Sequence, residues 1–544
     1  LQARLLAEHP TLIPVLNRRA AAWHEQNGLP EEAVAYALTA RDFDHAAALL
    51  TGPAITITRR GEITTLLTWY RAFPPEFVRQ HPRLCLQFGQ AFALNGRWDE
   101  AEALLTLVEQ SDATVQPEET LMLAYLIATY RQDGARLAAL AAEAAIQPHP
   151  DRVTQLVLAL IVSLSNDWQT AAQIMAEAQS ASERAGDDIM ALTALFHQCR
   201  FHVFLGNLHQ AYELSHQALE RVHKLGAAAL PMATFAHVSL GRILIEWNRL
   251  DEAAHHLTQA VDLSERSGFV TGMLSSATMM LAEVQQGQGD TVAAIQTAQT
   301  AISYAERYDP PPEVAWLTTY QTRIWLNQGH HLANRSAIQN WLITSRQQAD
   351  DLSLSLYYPV TIRPVTQARV LLAQHHVDEA VKLLTTLLNQ PHDLLTVEVQ
   401  GLLALARQEQ SNHVHALLAL EQALALAEAE QRLRVLLDLG TPLIRLLAAF
   451  YADHPDHTFA TALLGYFSDT AAAPSASIDS LRDREREVLR LIVAGYSNDE
   501  IAQSLTLAVS TVKWYINTLF GKLQVKTRSQ AIARAHDLNL LDES

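Results

Sequence analysis

The stretch Asn248-Arg249-Leu250-Asp251-Glu252-Ala253 decides the fold, because a short turn followed by a polar residue and alanine recurs along the chain. Clear copies occupy residues 95–101, 206–211 and 376–380. From Ala101 onwards, successive small residues are 37, 33, 40, 42, 40, 40, 47 and 36 positions apart. The weaker copies end at Ala138, Ala171, Ala293, Ala333 and Ala416. An apolar stripe with helical spacing follows each copy, which predicts a repeated helix.

Each repeat predicts a helical hairpin that buries its apolar face only by stacking on its neighbours. The alanine would let the two helices of a hairpin approach closely. These units resemble tetratricopeptide repeats, although most spacings exceed 34 residues, so we expect longer helices or turns. The sequence therefore predicts an all-α fold with a tetratricopeptide-like superhelix. An irregular all-α domain built from Ala-rich helices is the alternative.

The composition describes a folded protein of several domains or a long repeat array. The 544 residues are 49% hydrophobic and 18% charged, which excludes a disordered chain. Two cysteines, Cys85 and Cys199, imply no disulfide framework and fit a reducing, cytoplasmic location. No stretch reads as a membrane span or a secretory leader, so we expect no membrane association. The net charge of −18 argues against general nucleic-acid coating.

The last part of the chain is predicted to be a separate domain. Residues 470–480 contain small residues and Pro474 without periodicity, which is typical of a linker. Beyond them, residues 501–536 contain five basic residues and no acidic residue, a local basic patch on an acidic protein. Four helices are predicted, at roughly 483–494, 498–505, 509–523 and 528–538. Ser497 and Glu500 form a capping box at the start of the second helix, and Gly495 ends the first.

The third predicted helix has two different faces. At ~100° per residue, Val512, Ile516, Leu519 and Leu523 form a buried stripe. Ser510, Lys513, Trp514, Asn517 and Gly521 fall on the opposite side. Lys can donate to guanine, Asn can pair with adenine, and an indole edge can cover a thymine methyl. Each residue alone is more simply a surface residue or a partly buried Trp, but together they predict Lys513, Trp514 and Asn517 as base contacts.

This region resembles the LuxR-type DNA-binding domain. The resemblance rests on residues 481–489, 495–502, 510–513 and 522–531, and it covers about 474–539. It implies a tetrahelical domain whose third helix lies in the major groove of double-stranded promoter DNA. The helix-turn-helix would include Asn498, Glu500, Ile501, Ala502, Leu505, Val512 and Ile516. The resemblance implies phosphate contacts from Ser510, Thr511, Lys522, Lys526 and Arg528, and dimerisation on DNA through Ala531, Ile532 and Ala535.

The rest of the chain is similar to the large MalT-like regulators. Residues 9–34 resemble their helical segment after the ATPase module, and residues 82–101 resemble their superhelical sensor. The domains expected are therefore 1–60, a post-ATPase helical region; 61–469, the sensor; 470–480, the linker; and 474–539, the DNA-binding domain. The resemblance implies an inducer or protein partner in the superhelix, with RNA polymerase as a further partner. No Gly-x4-Gly-Lys-Ser/Thr occurs in the sequence, so we expect this chain to lack the ATPase module and to need no cofactor.

No pattern predicts an enzyme or a metal site. The pairs His255-His256, His330-His331 and His375-His376 lie in or near repeat turns, and adjacent helical residues diverge by ~100°, so we expect solvated loops rather than ligands. Trp98, Trp168 and Trp247 precede the alanine steps, which favours packing over a ligand cage. The function predicted is a DNA-binding transcriptional regulator whose repeats sense a ligand or partner. The alternatives are a repeat-based protein scaffold localised to DNA and, less favoured, an ATPase.

Overall fold

The computed structural model describes most of the chain: residues 11–50, 63–111, 117–146, 151–164, 167–226, 232–268, 272–309, 311–327, 335–347, 361–389, 394–472 and 483–505, with 507, 509, 512, 515, 516, 519, 528 and 530–532. Every regular element among these residues is a helix, and no β-strand occurs among them. The predicted all-α class is therefore confirmed. In the same ranges, no helix is both long enough and apolar enough to cross a membrane.

The described part of the chain begins with a small group of helices. Proline occupies the first turn of two of them, where its missing N–H costs nothing and its fixed φ suits the helix. Pro30 and Pro75 take this position. The helices are α1 (Leu12–Gln26), α2 (Pro30–Thr39), α3 (Phe43–Leu50), α4 (Ile63–Ala72) and α5 (Pro75–Arg79).

Paired helices follow, each pair forming an antiparallel hairpin. The pairs are α6 (Pro82–Leu94) with α7 (Trp98–Glu109), α8 (Pro117–Tyr130) with α9 (Gly134–Ile146), α10 (Arg152–Leu164) with α11 (Trp168–Arg184), α12 (Asp188–Leu205) with α13 (Leu208–Leu225), α14 (Ala233–Glu246) with α15 (Leu250–Ser267), α16 (Met273–Gly287) with α17 (Thr291–Tyr308), α18 (Pro311–Asn327) with α19 (Arg335–Gln347), α20 (Ile362–Ala373) with α21 (Val377–Leu388), and α22 (Thr396–Glu409) with α23 (His413–Ala429). The helices α24 (Arg434–Leu437), α25 (Thr441–Asp453) and α26 (Thr458–Ala472) complete this region.

A left-handed residue ends the first helix in most of these hairpins. The next residue then bonds back to a carbonyl in the last turn, as Arg97 N does to Phe92 O at 2.8 Å and Arg249 N to Leu244 O at 2.8 Å. This arrangement satisfies helix-terminal carbonyls and reverses the chain tightly. The left-handed residues are Gly96, Gln132, Gly206, Asn248, Gly289, His375 and Ser411, with φ between +56° and +85°.

The small residue of each repeat is the fourth residue of the second helix. Ala101, Ala171, Ala211, Ala253, Ala380 and Ala416 take this position and are all fully buried. Two predicted positions are wrong by one residue. Ala138 is exposed and Ala293 is half-buried, because capping by Asp133 and Asp290 fixes where the helices begin, so Leu137 and Ala294 take the buried position instead. Ala333 lies outside the described residues.

The hairpins wind into a superhelix whose distant members touch. Asn95 Nδ2 donates to Gly268 O at 2.9 Å, and Trp98 Nε1 donates to Tyr308 O at 3.2 Å. Further along, Trp247 Nε1 donates to Glu430 O at 2.8 Å. These contacts join residues more than 170 positions apart in sequence, since the Asn95–Gly268 pair alone is separated by 173. Successive turns of the superhelix are therefore held together by specific hydrogen bonds.

The tryptophans preceding the alanine steps pack against protein groups, in neighbouring helices and, for Trp98 and Trp247, also across turns of the superhelix. Trp98 and Trp168 are buried, and Trp98 stacks on Tyr130 with ring centroids 4.3 Å apart. The histidine prediction is partly wrong. His256 lies inside α15, with its Nδ1 atom 2.9 Å from Nδ1 of His237, because its helical position faces the neighbouring helix. Among the described residues, no group of three or more His, Cys, Asp or Glu side chains could hold a metal ion.

The first residues of the predicted linker are helical. Helix α26 continues through Ala472, so residues 470–472 of the proposed linker are helical. Thr470 is followed by three alanines, and alanine has the highest helix propensity, which extends the helix to this point. Residues 473–482 lie outside the described residues.

Candidate nucleic-acid interface

Two helices joined by a tight turn begin the C-terminal domain. Helix α27 (Asp483–Val493) ends before Gly495, whose φ of +88° is left-handed. Tyr496 N bonds back to Leu491 O at 3.1 Å, which completes the turn. Helix α28 (Asn498–Leu505) follows directly. The sequence correctly placed the end of the first helix at Gly495.

The predicted capping box at the start of α28 is confirmed. Ser497 N donates to Glu500 Oε2 at 2.7 Å, and Glu500 N donates to Ser497 Oγ at 3.3 Å. The Ser497 hydroxyl also donates to Glu500 Oε2 at 2.8 Å. The hydrogen bonds from the Ser497 amide and hydroxyl lower the pKa of the Glu500 carboxyl. An ionised carboxylate at a helix N-terminus favours the helix.

One small apolar core unites the described parts of this domain. Val488, Leu489 and Ile492 of α27 meet Ile501 of α28 in this core. Val509, Val512, Tyr515, Ile516 and Leu519 are all helical, and of these Val512, Ile516 and Leu519 are buried. The buried stripe predicted for the third helix is therefore present at each of its described positions. The remaining core residues are Ala502, Leu505 and Ala531.

Arg528 makes contacts that the sequence did not predict. Its guanidinium donates to Ile492 O at 3.4 Å, to Asn498 Oδ1 at 3.5 Å and to Tyr496 O. Ile492 O lies at the end of α27, where the helix dipole favours a cation, Tyr496 O lies in the turn, and Asn498 begins α28. Arg528 thus braces the turn between the first two helices. A cation at the start of the fourth predicted helix was the signal, but the contact depends on how that helix packs.

The proposed dimer contacts need one correction. Ala531 is fully buried in the core of its own domain, because its methyl group fills the space beside α27 and the third helix. It is therefore not available to a second copy. Ile532 is half-buried and packs at the edge of the same core. Ala535 lies outside the described residues.

Most of the proposed DNA contacts also lie outside the described residues. They are Lys513, Trp514 and Asn517 for the bases and Ser510, Thr511, Lys522 and Lys526 for the phosphates. Their roles stay predictions from the sequence. Asn498, Glu500, Ile501, Ala502, Leu505, Val512 and Ile516 belong to the described part, where they cap, brace or form the core.

The fold and this domain define a class of protein: a helical-repeat superhelix with a helix-turn-helix at its C-terminal end. Residues 118–453 match the family described as "MalT-like TPR region", and the chain belongs to that family. Residues 479–535 match the family described as "Bacterial regulatory proteins, luxR family". The two matches fall on the hairpins and on the capped helix pair respectively.

Individual relatives agree with this assignment. The chain is 25% identical over 579 residues to the HTH-type transcriptional regulator MalT of Serratia proteamaculans (strain 568), covering 97% of this chain. It is 24% identical over 584 residues to the MalT of Vibrio campbellii (strain ATCC BAA-1116), covering 98% of this chain. In both cases the chain spans about 62% of the relative's length. A solved structure of a Rap protein complexed with Competence and Sporulation Factor aligns with 65% of this chain and 100% of its own, at 13% identity and a TM-score of 0.44.

Proposed function

We propose that this chain is a DNA-binding transcriptional regulator whose C-terminal helix-turn-helix reads double-stranded promoter DNA. The observation that carries the proposal is the match of residues 479–535 to the luxR family, on a helix pair with a complete capping box. The named relatives are transcriptional regulators, which supports a regulatory rather than an enzymatic role.

Lys513, Trp514 and Asn517 are the proposed base contacts. In sequence they alternate with Val512, Ile516 and Leu519, whose burial supports a third helix with one core face and one reading face. Ser510, Thr511, Lys522 and Lys526 are the proposed phosphate contacts, which would fix the position of the domain on the duplex. Arg528 braces the turn through Tyr496 O, and its proposed phosphate contact would come in addition to this bracing.

Selection of bound duplexes from random DNA by the full chain tests this proposal. We expect one enriched motif, and the measured affinity for it should fall by ~1–3 kcal/mol in Lys513→Ala or Asn517→Ala, with relaxed base preference. Lys382→Ala and Asn389→Ala, exposed residues of the repeat region, are the matched controls. Selection without an enriched motif would contradict the proposal, as would equal losses in the control variants.

The repeat superhelix is proposed to sense a small-molecule inducer or a protein partner and so to control DNA binding. Dimerisation on DNA through Ile532 and Ala535, contact with RNA polymerase and a cytoplasmic location complete the proposal. The sequence contains no phosphate-binding Gly-x4-Gly-Lys-Ser/Thr motif, so we expect no nucleotide binding by these 544 residues in calorimetry.

A further inference from the structure

The first helices of four successive hairpins line a pocket in the repeat region. Helix α12 contributes Phe196, Arg200 and Phe204, and α14 contributes Phe235 and Arg242. Helix α16 contributes methionine and serine side chains, and α18 contributes Tyr320. Leu394, just before α22, adds a side chain from much later in the sequence. The pocket therefore lies where one turn of the superhelix meets the next.

The walls of this pocket are apolar and aromatic. Phe196 and Phe235 stack with ring centroids 5.5 Å apart. Phe204, Tyr320 and two methionines add further surface, so the pocket favours a ligand with an apolar body. Among the described lining residues, the hydroxyls besides that of Tyr320 belong to Ser239 and Ser276. A neutral sugar, which carries many hydroxyls, would leave most of them without partners here.

The charged side chains in the described lining of the pocket are two arginines, Arg200 and Arg242. No carboxylate belongs to that described lining, but Glu283 is paired with Arg242. Arg242 is fixed in position, since it donates to both oxygens of Glu283 at 2.8 Å and lies 5.7 Å from the centre of the Tyr320 ring. Arg200 lies 5.1 Å from the Phe201 ring. Burial and, to a lesser extent, the Arg200 charge hold the pKa of His197 well below its usual range.

Leu394 connects the pocket to the contact between turns. Its N–H donates to Phe204 O at 2.8 Å, and its carbonyl accepts from Arg432 Nη2. Arg432 Nε in turn donates to Glu246 Oε2 at 3.2 Å, and both of these side chains are almost fully buried. A ligand that touches Leu394 would therefore strengthen the contacts that hold residues 394–432 on the preceding turn.

We propose that this pocket binds a small carboxylate with an aromatic or aliphatic body, whose acid group is recognised by Arg200, since the charge of Arg242 is already balanced by Glu283. This inference rests on the sensing role proposed above and names the ligand class for it. The acid would form charge-assisted hydrogen bonds with the Arg200 guanidinium, and the apolar body would replace water between the aromatic rings. Binding would favour the arrangement in which the two turns of the superhelix are in contact, because the pocket includes residues of both turns.

Calorimetry with the full chain tests the proposal, using 3-phenylpropanoate and its neutral isostere 3-phenylpropanamide. We expect the acid to bind at least about tenfold more tightly than the amide, as a charge-assisted hydrogen bond implies. Arg200→Gln should remove this preference, and Arg200→Lys should retain it. Arg184→Gln, which removes an exposed arginine at the end of α11, is the matched control and should leave the preference unchanged.

Hydrogen exchange provides a second measurement that does not depend on these variants. The amide of Leu394 should exchange several-fold more slowly with the acid bound, because binding holds it against Phe204 O. The proposal is overturned if the acid does not bind, if the amide binds equally well, or if Arg200→Gln keeps the preference. It is also overturned if a neutral disaccharide competes with the acid for this pocket. DNA selection by the same protein is an independent measurement. If the protein selects a DNA motif but does not bind the acid, only this inference is refuted.

Discussion

At the scale of single residues, two hydrogen-bonded carboxyl groups in this protein have pKa values shifted in opposite directions. The Glu500 carboxyl accepts from the Ser497 amide and hydroxyl in an exposed position, and its pKa is lowered. The Asp309 carboxyl also accepts hydrogen bonds, from Gly272 N at 2.6 Å and from the Ser275 hydroxyl. Burial outweighs these bonds and raises the pKa of Asp309 to about 7. Solvent exposure, rather than the number of hydrogen-bond donors, decides whether the pKa of each carboxyl group is raised or lowered.

Asp309 should therefore make the repeat region less stable as pH rises. Its pKa is about 7 when folded and near its ordinary value of 3.8 when unfolded, so its contribution is full below about pH 4 and is lost as pH rises through 7. In Asp309→Asn we expect this loss, on the order of a few kcal/mol, to disappear. Thermal unfolding of both proteins between pH 5 and pH 8 measures it.

The comparison with the variant is needed because histidines act in the opposite direction. Burial lowers the pKa of His237 to about 3 and of His256 to about 4, so their contribution is lost as pH falls below 6.5. Subtracting the Asp309→Asn profile from that of the unchanged protein cancels this effect. Asp290→Asn, which keeps a side chain able to cap α17, is the matched control. Parallel profiles for the unchanged protein and Asp309→Asn would refute the assignment.

The capping box gives a second prediction at this scale. Ser497→Ala removes the acceptor of the Glu500 amide and should destabilise the start of α28 by ~1 kcal/mol. Native-state hydrogen exchange of the α28 amides measures the loss, and Ser504→Ala, an exposed position in the same helix, is the control. If both variants exchange alike, the cap contributes nothing to the stability of this helix.

At the scale of helices and turns, the sequence predicts well wherever a local rule is sufficient. The turns at Gly96, Gly206 and Asn248 were found because a left-handed residue and a following helix start leave a visible pattern. The same rule failed by one residue at Ala138 and Ala293, where a capping aspartate moves the start of the helix. The local sequence pattern predicts that a hairpin is present, whereas the capping residue determines where its second helix begins and which residue is buried.

Gly96 should be the most sensitive of these turns. Its φ is +75°, and a Cβ atom there would lie 2.6 Å from Tyr308 O in a distant hairpin. Gly186 has a similar φ of +68° with nothing within 4 Å, so it is a matched control. Gly186→Ala should cost ~1–2 kcal/mol for the left-handed backbone alone, and Gly96→Ala should cost clearly more. The midpoints of chemical unfolding of the two variants are compared. Equal midpoints would show that the backbone at Tyr308 moves aside at no cost in stability.

At the scale of the whole molecule, the sequence could not predict which hairpins meet. The angle between neighbouring hairpins accumulates over several repeats, so small errors in each would change every distant contact. Trp247 and Glu430 are 183 positions apart, and nothing in their local sequences pairs them. The proposed carboxylate pocket was missed for the same reason, since its lining spans Phe196 to Leu394. The C-terminal core was easier to predict, because its buried residues follow the periodicity of adjacent helices.

The ion pair between Arg432 and Glu246 should contribute most to holding the two turns of the superhelix together. Arg432 also donates to Leu394 O, so Arg432→Met leaves a nearly buried carboxylate and a carbonyl without this donor. Removing one partner of a buried ion pair costs ~3–5 kcal/mol, and the loss should loosen the superhelix. Small-angle scattering should show a larger radius of gyration for this variant than for Arg221→Met, which breaks the more exposed pair with Glu183. The double variant Glu246→Gln, Arg432→Met should recover part of the stability, because no buried charge then lacks its partner. Additive losses would instead mean that the two side chains act independently and that the turns are held by apolar contacts.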